Sequence, residues 1–228
     1  IILHDAFAFK GGGERLIHIL CRELEADLAF GYRNEETFAL QELPGRLINL
    51  ESESGLPVWR TLKRFHSFYQ KTKFLSMYEN VIYSGQNSPL AVSNHTKGKN
   101  IYYCFTPPRS IYDLKETHLA YQPPLIQLVH RLYNAFFQPL YENAIRKMDV
   151  VVADSKNVQT RIQKFLGLES IIIHPPCDIN NFSWMGQGDY YLSTARLTRY
   201  KRVDVIIKAF TELPEKRLIV ASSGPQER

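Results

Sequence analysis

Two stretches combine residue types and spacing that suit chemistry. In the first, Arg196, Arg199, Lys201 and Arg202 crowd a tight loop between an apolar strand at Tyr191 and an amphipathic helix. In that helix Val203, Ile206, Ile207 and Phe210 recur at helical spacing and give one apolar face. A helix start carries partial positive charge and prefers acids by roughly 0.3–1 kcal/mol per charge, so this is the wrong end for cations. Asp204 offsets only part of that cost. A basic cluster on a positive helix end suits an anion, above all a phosphate. The same residues also read as a solvated basic loop, and charge alone does not separate the two. In the second stretch, Lys10-Gly11-Gly12-Gly13-Glu14 follows the strand Ile1–Asp5 and opens a helix with Leu16, Ile17, Leu20 and Leu24 on one face. Bare glycine backbone at a helix start lets a phosphate or sugar approach the N–H groups. A ligand-free turn is the alternative. The dinucleotide fingerprint G-x-G-x-x-G fails because Leu16 stands at its third glycine, which disfavours an NAD-type oxidoreductase.

The first stretch also carries a resemblance. Ser193-x-Ala195-Arg196-Leu197-x-x-Tyr200-Lys201-Arg202-x-Asp204-x-x-Ile207-x-Ala209-Phe210 resembles the donor-site motif of family-4 retaining glycosyltransferases. It is most similar to the mannosyltransferase branch that builds O-antigen and other cell-surface polysaccharides. The resemblance implies an α/β chain of GT-B type: a Rossmann-like parallel-sheet domain plus the start of a second one, with catalysis between them. It implies that Arg196 and Lys201 grip the diphosphate of a nucleotide sugar and carry the catalytic role. Gly11, Gly12 and Gly13 would face that cleft, and Gly224 would lie in a small-residue turn near the nucleotide. The strand Asn100–Phe105 and the following Thr106-Pro-Pro-Arg109 resemble the acceptor-side segment ending Cys-His-Thr-Pro-x-Arg. Phe105, Thr106 and Arg109 are then acceptor-side candidates. Phe105 replaces the family's histidine and cannot hydrogen-bond through its ring as imidazole does. His118, beyond the loop, is a candidate substitute. Ser155 matches a segment that reaches the cleft, and its other reading is a helix cap. The family's paired glutamates would lie past Arg228. With no metal cluster visible, we expect Arg and Lys to stand in for a divalent ion. No cofactor is expected beyond the donor itself, GDP-mannose on the closest branch.

These residues need elements to hold them. Ala26–Phe30, Leu47–Leu50, Val81–Gly85, Asn100–Phe105, Asp149–Asp154 and Ser170–His174 are short apolar runs that read as buried parallel strands. Gly31–Arg46 reads as a loop, and Asn94–Lys97 as a polar one. Val58–Tyr78 reads as one basic amphipathic helix: Trp59, Leu62, Phe65, Phe68, Tyr69 and Leu75 on one face, Arg60, Lys63, Arg64, Lys71 and Lys73 on the rest. It suits either an anionic membrane surface or ordinary core packing. Tyr121–Met148 reads as a long helix with Pro123 and Pro124 at its start and Pro139 as a kink, its apolar residues destined for the core. Ser155 or Asn157 caps a helix through Phe165, with Gly167 after its end. The expected division is residues 1–179 as the acceptor-side domain, 180–188 as a linker and 189–228 as a partial nucleotide-sugar domain. Its single strand–helix–strand unit cannot cover both faces of a parallel sheet.

With 228 residues, 44% hydrophobic, the composition is that of a globular protein. Net charge is +5, so anionic partners are plausible without being demanded. No nucleic-acid motif is present. Cys21, Cys104 and Cys177 show no metal spacing and fit a reducing compartment. No apolar run spans a bilayer. The absence of an initiator methionine at Ile1, and a stop just after a strand, lead us to expect a piece of a longer chain, inactive alone. The expected setting is cytoplasmic, at the inner membrane face. The partners implied are a nucleotide sugar and a lipid-linked or glycan acceptor. The competing reading is a non-catalytic glycan-binding or membrane-docking module.

Overall fold

Runs of Val, Ile and Leu bounded by polar turns form the strands β1 (Ile2–His4), β2 (Leu28–Phe30), β3 (Leu47–Asn49), β4 (Asn80–Ser84), β5 (Lys99–Cys104), β6 (Val150–Ala153) and β7 (Ile171–Ile172). They make one sheet in the order β3-β2-β1-β4-β5-β6-β7, every pair parallel. This computed structural model describes residues 1–35, 37–53, 57–120, 122–177, 179 and 182–227, without the side chains of 57–61 and 118. The expectations placed on the side chains of Trp59, Arg60 and His118 lie outside the described side chains. Those on Tyr121 and on residues 180 and 181 of the linker lie outside the described residues.

Successive strand residues point to opposite faces. Ile2, Leu28 and Phe30 pack under helix α1 (Gly12–Glu23) through its Ile17 and Cys21. Leu3, Ala29, Val81, Tyr83, Tyr102 and Cys104 face the other way. There they meet Phe68 of α2 (Pro57–Gln70), the 3₁₀ run Ser88–Asn94, and, past the short α3 (Lys115–Ala120), the longer α4 (Pro124–Ile145) and α5 (Lys156–Leu166). A parallel sheet covered by helices on both faces is a Rossmann-like arrangement. In α5 Ser155 is the cap, its Oγ accepting from Val158 N at 3.3 Å, and Gly167 ends the helix with φ +66°.

Four expectations need correction. The basic stretch 58–78 is not one helix: α2 stops at Gln70, and a 3₁₀ turn, Lys73–Met77, follows. The stop is tertiary, because Asn94 Nδ2 donates to Tyr69 O and Thr72 Oγ1, both at 2.8 Å, while Thr72 Oγ1 donates to Phe68 O at 2.7 Å. His95 does not sit in an open polar loop. It is buried, with Nδ1 at 2.8 Å from Asn100 Oδ1 and Nε2 at 2.9 Å from Tyr78 O. The helix from Tyr121 begins at Pro124, runs on through Pro139, and leaves Leu125, Leu128, Val129, Leu132 and Phe136 exposed rather than in the core. Leu24 lies just past α1 and is exposed, so it does not share that helix's buried face.

The chain divides into Ile1–Pro176, which holds this sheet, and Cys177–Arg228. The second unit is β8 (Tyr190–Ser193), α6 (Val203–Thr211) and β9 (Arg217–Val220), with β8 and β9 parallel. Val203 is buried and Phe210 meets Tyr191 edge-to-face at 5.1 Å, but Ile207 is half exposed. Tyr190, Tyr191 and Leu192 also stay exposed. Two strands and one helix leave apolar surface uncovered.

Candidate functional site

In an open parallel sheet, ligands bind outside the carboxyl ends of the strands where the strand order reverses. Here β1 leads to β2 and β3 on one side, and β4 starts the run to β7 on the other. The residues just past β1 and β4 therefore define the candidate site of the first unit. Asp5 occupies that point. Its carboxylate accepts from the backbone N–H of Gln86 (2.9 Å), Asn87 (3.0 Å) and Ser88 (2.8 Å), and from Asn87 Nδ2 (2.9 Å). Those donors open the 3₁₀ run after β4, so the chain supplies its own anion to a cluster of N–H groups. Gly85 permits the approach: at φ +108°, a Cβ there would lie 2.4 Å from Asp5 Cγ.

His4 precedes this latch and is buried, its Nδ1 at 3.3 Å from Ser84 Oγ and its ring edge-on to Phe7 at 5.1 Å. Burial pushes its pKa below the ordinary value, so the ring is held neutral despite neighbouring Asp5.

Gly11 caps α1 without a side-chain hydrogen bond, and Gly12 and Gly13 form its first turn. The structure brings Gly13 and Phe105 together. A Cβ on Gly13 would meet the Phe105 ring at 2.8 Å, and that ring also approaches His4 (6.3 Å) and Tyr103 (5.9 Å). Phe105 thus packs on the glycine turn as an apolar wall.

Beyond Phe105 the loop is tied down. Arg161 Nη1 and Nη2 grip Asp113 at 2.8 and 2.9 Å, and Arg161 Nε donates to Thr106 Oγ1 at 3.1 Å. Arg109 adds a second guanidinium to Asp113, at 3.2 Å from Nε and 3.0 Å from Nη2. Thr106 and Arg109 therefore share one network. Ser155 lies at the end of β6, its Oγ donating to Asp154 Oδ1 at 2.9 Å while capping α5. Burial pushes the Asp154 carboxyl up, and the Ser155 hydroxyl works against it.

In the second unit the basic loop has a defined base. Arg199–Lys201 is a 3₁₀ turn, and Arg202, at φ +51° just before α6, pairs with Asp204 of its first turn at 3.1 Å. Leu197 is clamped to the turn after β9: its N–H donates to Ser223 O and its carbonyl accepts from Gln226 N, both at 3.1 Å. Gly224 packs directly on it, since a Cβ there would lie 2.4 Å from Leu197 O. The structure thus brings the Arg196 loop and the Gly224 turn together. Arg196 and Lys201 are both exposed.

No protein-family model matches this chain, and no curated protein does either. Function therefore rests on the residues themselves. Among the described residues no group of three or more His, Cys, Asp and Glu is placed to hold a metal, and no helix is long and apolar enough to cross a membrane.

Sequence reasoning missed Asp5, Asp113 and Asp154 as site residues. Asp5 had one local signal, a carboxylate at a strand end just before a glycine loop. Asp113 had another, four residues after Arg109. Their partners, Asn87 and Arg161, lie 82 and 48 residues away, where spacing says nothing.

Proposed function

We propose that this chain is the acceptor-side unit and the start of the donor-side unit of a GT-B retaining glycosyltransferase. It would move a sugar from a nucleoside-diphosphate donor, GDP-mannose by the motif's closest branch, to a glycan or lipid-linked acceptor at the inner membrane face. The observation that carries this reading is the clamped loop of the second unit. A parallel strand, a turn bearing Arg196 and Lys201, and a helix are fixed to the Gly224 turn through Leu197. That arrangement suits a fixed pair of cations beside a close backbone. In the reaction the anomeric C–O bond to the diphosphate breaks and a new one forms to the acceptor oxygen. The acceptor's proton leaves with the diphosphate. Charge grows on the departing oxygens, and preset cations lower the barrier by meeting it there. The parallel sheet of the first unit, with its glycine turn and strand-order reversal, supports the reading as a scaffold.

The test is calorimetric titration of GDP-mannose, UDP-glucose, GDP and UDP into the full chain. Arg196→Ala and Lys201→Ala are each expected to weaken diphosphate binding by about 1.5–3 kcal/mol, as loss of a charge-assisted bond does. That corresponds to roughly 10–150-fold in Kd. The preferred base names the donor. Absence of binding by every nucleotide in the folded protein overturns the proposal. A second reading has its own observation: Phe105 sets an apolar ring against Gly13 where the resemblance calls for imidazole. That favours a glycan-binding or docking module without turnover, which would bind oligosaccharide but no nucleotide.

A further inference from the structure

Helix α4 has two apolar faces. Phe137, Tyr141 and Ile145 point into the core and are fully buried. Leu125, Leu128, Val129, Leu132 and Phe136 fall within about 100° of arc on the opposite side of a 3.6-residue wheel. That second stripe faces solvent: Leu125 is 71% exposed, Leu132 63% and Phe136 55%. An ordinary surface helix turns its single apolar stripe inward and keeps the outside polar. The outer stripe continues onto α2. Phe136 lies 5.7 Å from Phe65, which stacks on Tyr69 at 5.5 Å, and Leu62 and Tyr69 are exposed beside them. Two helices thus share one contiguous exposed apolar surface, and contiguous apolar patches mark interaction sites.

The charge of these helices selects the occupant. Across α2 and the stretch Pro124–Tyr141 of α4 the chain has Arg60, Lys63, Arg64 and Arg131, and not one Asp or Glu. Lys63 and Arg131 are exposed. A second copy of this chain would bring like charges together across a two-fold axis. Glu142, the next residue of α4, is turned away from water and paired with Arg146, and Lys63 also donates to Glu53 O. A surface with apolar and aromatic side chains at its centre and an excess of cations at its edge fits an anionic bilayer.

We infer that the outer face of α4, with the adjoining face of α2, inserts into anionic lipid. Leu125, Leu128, Val129, Leu132 and Phe136 enter the acyl boundary, and Lys63 and Arg131 meet headgroups. This places the insertion on α4, with α2 as its basic flank. It stands on the exposed surface and does not rest on the glycosyl-transfer reading.

The test is sedimentation of the full chain with phosphatidylcholine vesicles, plain or with about 30% phosphatidylglycerol. The wild type is expected to bind the anionic vesicles far better. L128D/L132D is expected to cut that binding at least about tenfold, and K63E/R131E to cut it only where the anionic lipid is present. Because Leu128 and Leu132 are exposed, thermal melting should be unchanged. If it is not, Leu132→Trp gives an independent reading, its emission shifting to the blue with anionic vesicles. Wild-type binding that L128D/L132D leaves intact overturns the inference, as does failure of the wild type to bind or a Leu132→Trp spectrum insensitive to vesicles. A wild-type dimer that L128D/L132D dissociates, with no vesicle binding, assigns the face to a second copy and equally overturns it.

Discussion

Asp5→Ala is expected to destabilise the first unit by about 3–5 kcal/mol in denaturant unfolding. The carboxylate is the shared acceptor for three consecutive backbone N–H groups and one side-chain amide, all on the segment after β4. Hydrogen bonds to an ionised acceptor contribute about 1.5–3 kcal/mol each, and a part-buried donor left unmade costs about 1–3 kcal/mol. Water reaching the site recovers some of that, so the sum falls well short of four full bonds. Asp5→Asn keeps the shape but turns one acceptor into a donor facing donors, so it should not rescue. Gly85→Ala tests the same latch from the other side. Its Cβ would lie 2.4 Å from Asp5 Cγ and 2.6 Å from Oδ1, at φ +108°. Alone it should cost about 2–4 kcal/mol, combining backbone strain with displacement of the carboxylate. In an Asp5→Ala background the strain and a 2.9 Å approach to the remaining Cβ persist but the carboxylate is gone, so the two costs should be less than additive. The midpoint should move at constant m-value. A cost below about 1 kcal/mol for Asp5→Ala, or strict additivity with Gly85→Ala, would show that the latch contributes nothing.

The latch also shows where sequence reading stops. The β/α alternation was legible because parallel strands buried on both faces read as plain apolar runs, as Val150–Ala153 does. The start and end of α5 were legible because Ser155 and Gly167 act locally, within a turn of the helix. The end of α2 was not, since Asn94 stops it from a different element. The orientation of α4 was not legible for another reason. Its first half carries one apolar stripe, Leu125, Leu128, Val129 and Leu132, and periodicity finds that stripe without saying whether it turns to the core or to solvent. Among the candidate residues, Gly11–Gly13 of the first unit and Arg196 and Lys201 of the second stood out by residue type, and Leu197 and Gly224 explain how the basic loop is held. The ion pairs that fix Thr106 and Arg109 depend on where Arg161 arrives, a tertiary fact.

That network carries the second large effect. Arg161→Ala is expected to cost about 2–4 kcal/mol and to lose less stability in acid than wild type does. Arg161 and Asp113 are 18% and 24% exposed, so their pairing lies between the weak surface case and the strong buried one. Arg161 makes two bonds to Asp113, one to Thr106, and lies 5.4 Å over the Phe165 ring. Hydrogen bonding from Arg161, then from Arg109, holds the Asp113 carboxyl well below the usual carboxylate range. The sign follows from that depression. In the unfolded chain Asp113 takes up its proton near the ordinary value of about 3.9, while in the folded chain it stays ionised to lower pH. The pairing therefore contributes fully above about pH 4 and is lost as pH falls further, through the folded value. Unfolding free energy measured against pH should drop in that window for wild type, and the drop should be smaller in both Arg161→Ala and Asp113→Asn. Arg109→Ala should remove less of it, because Arg109 is the more exposed guanidinium and holds only one carboxylate oxygen. Thr106→Val separates the electrostatic part from the loop-fixing part: it deletes the hydroxyl that Arg161 Nε uses but leaves the ion pair. Its acid profile should match wild type while its stability at neutral pH falls by about 1 kcal/mol. An acid profile of Asp113→Asn that overlays wild type would remove Asp113 from this role and leave the loop held by packing alone.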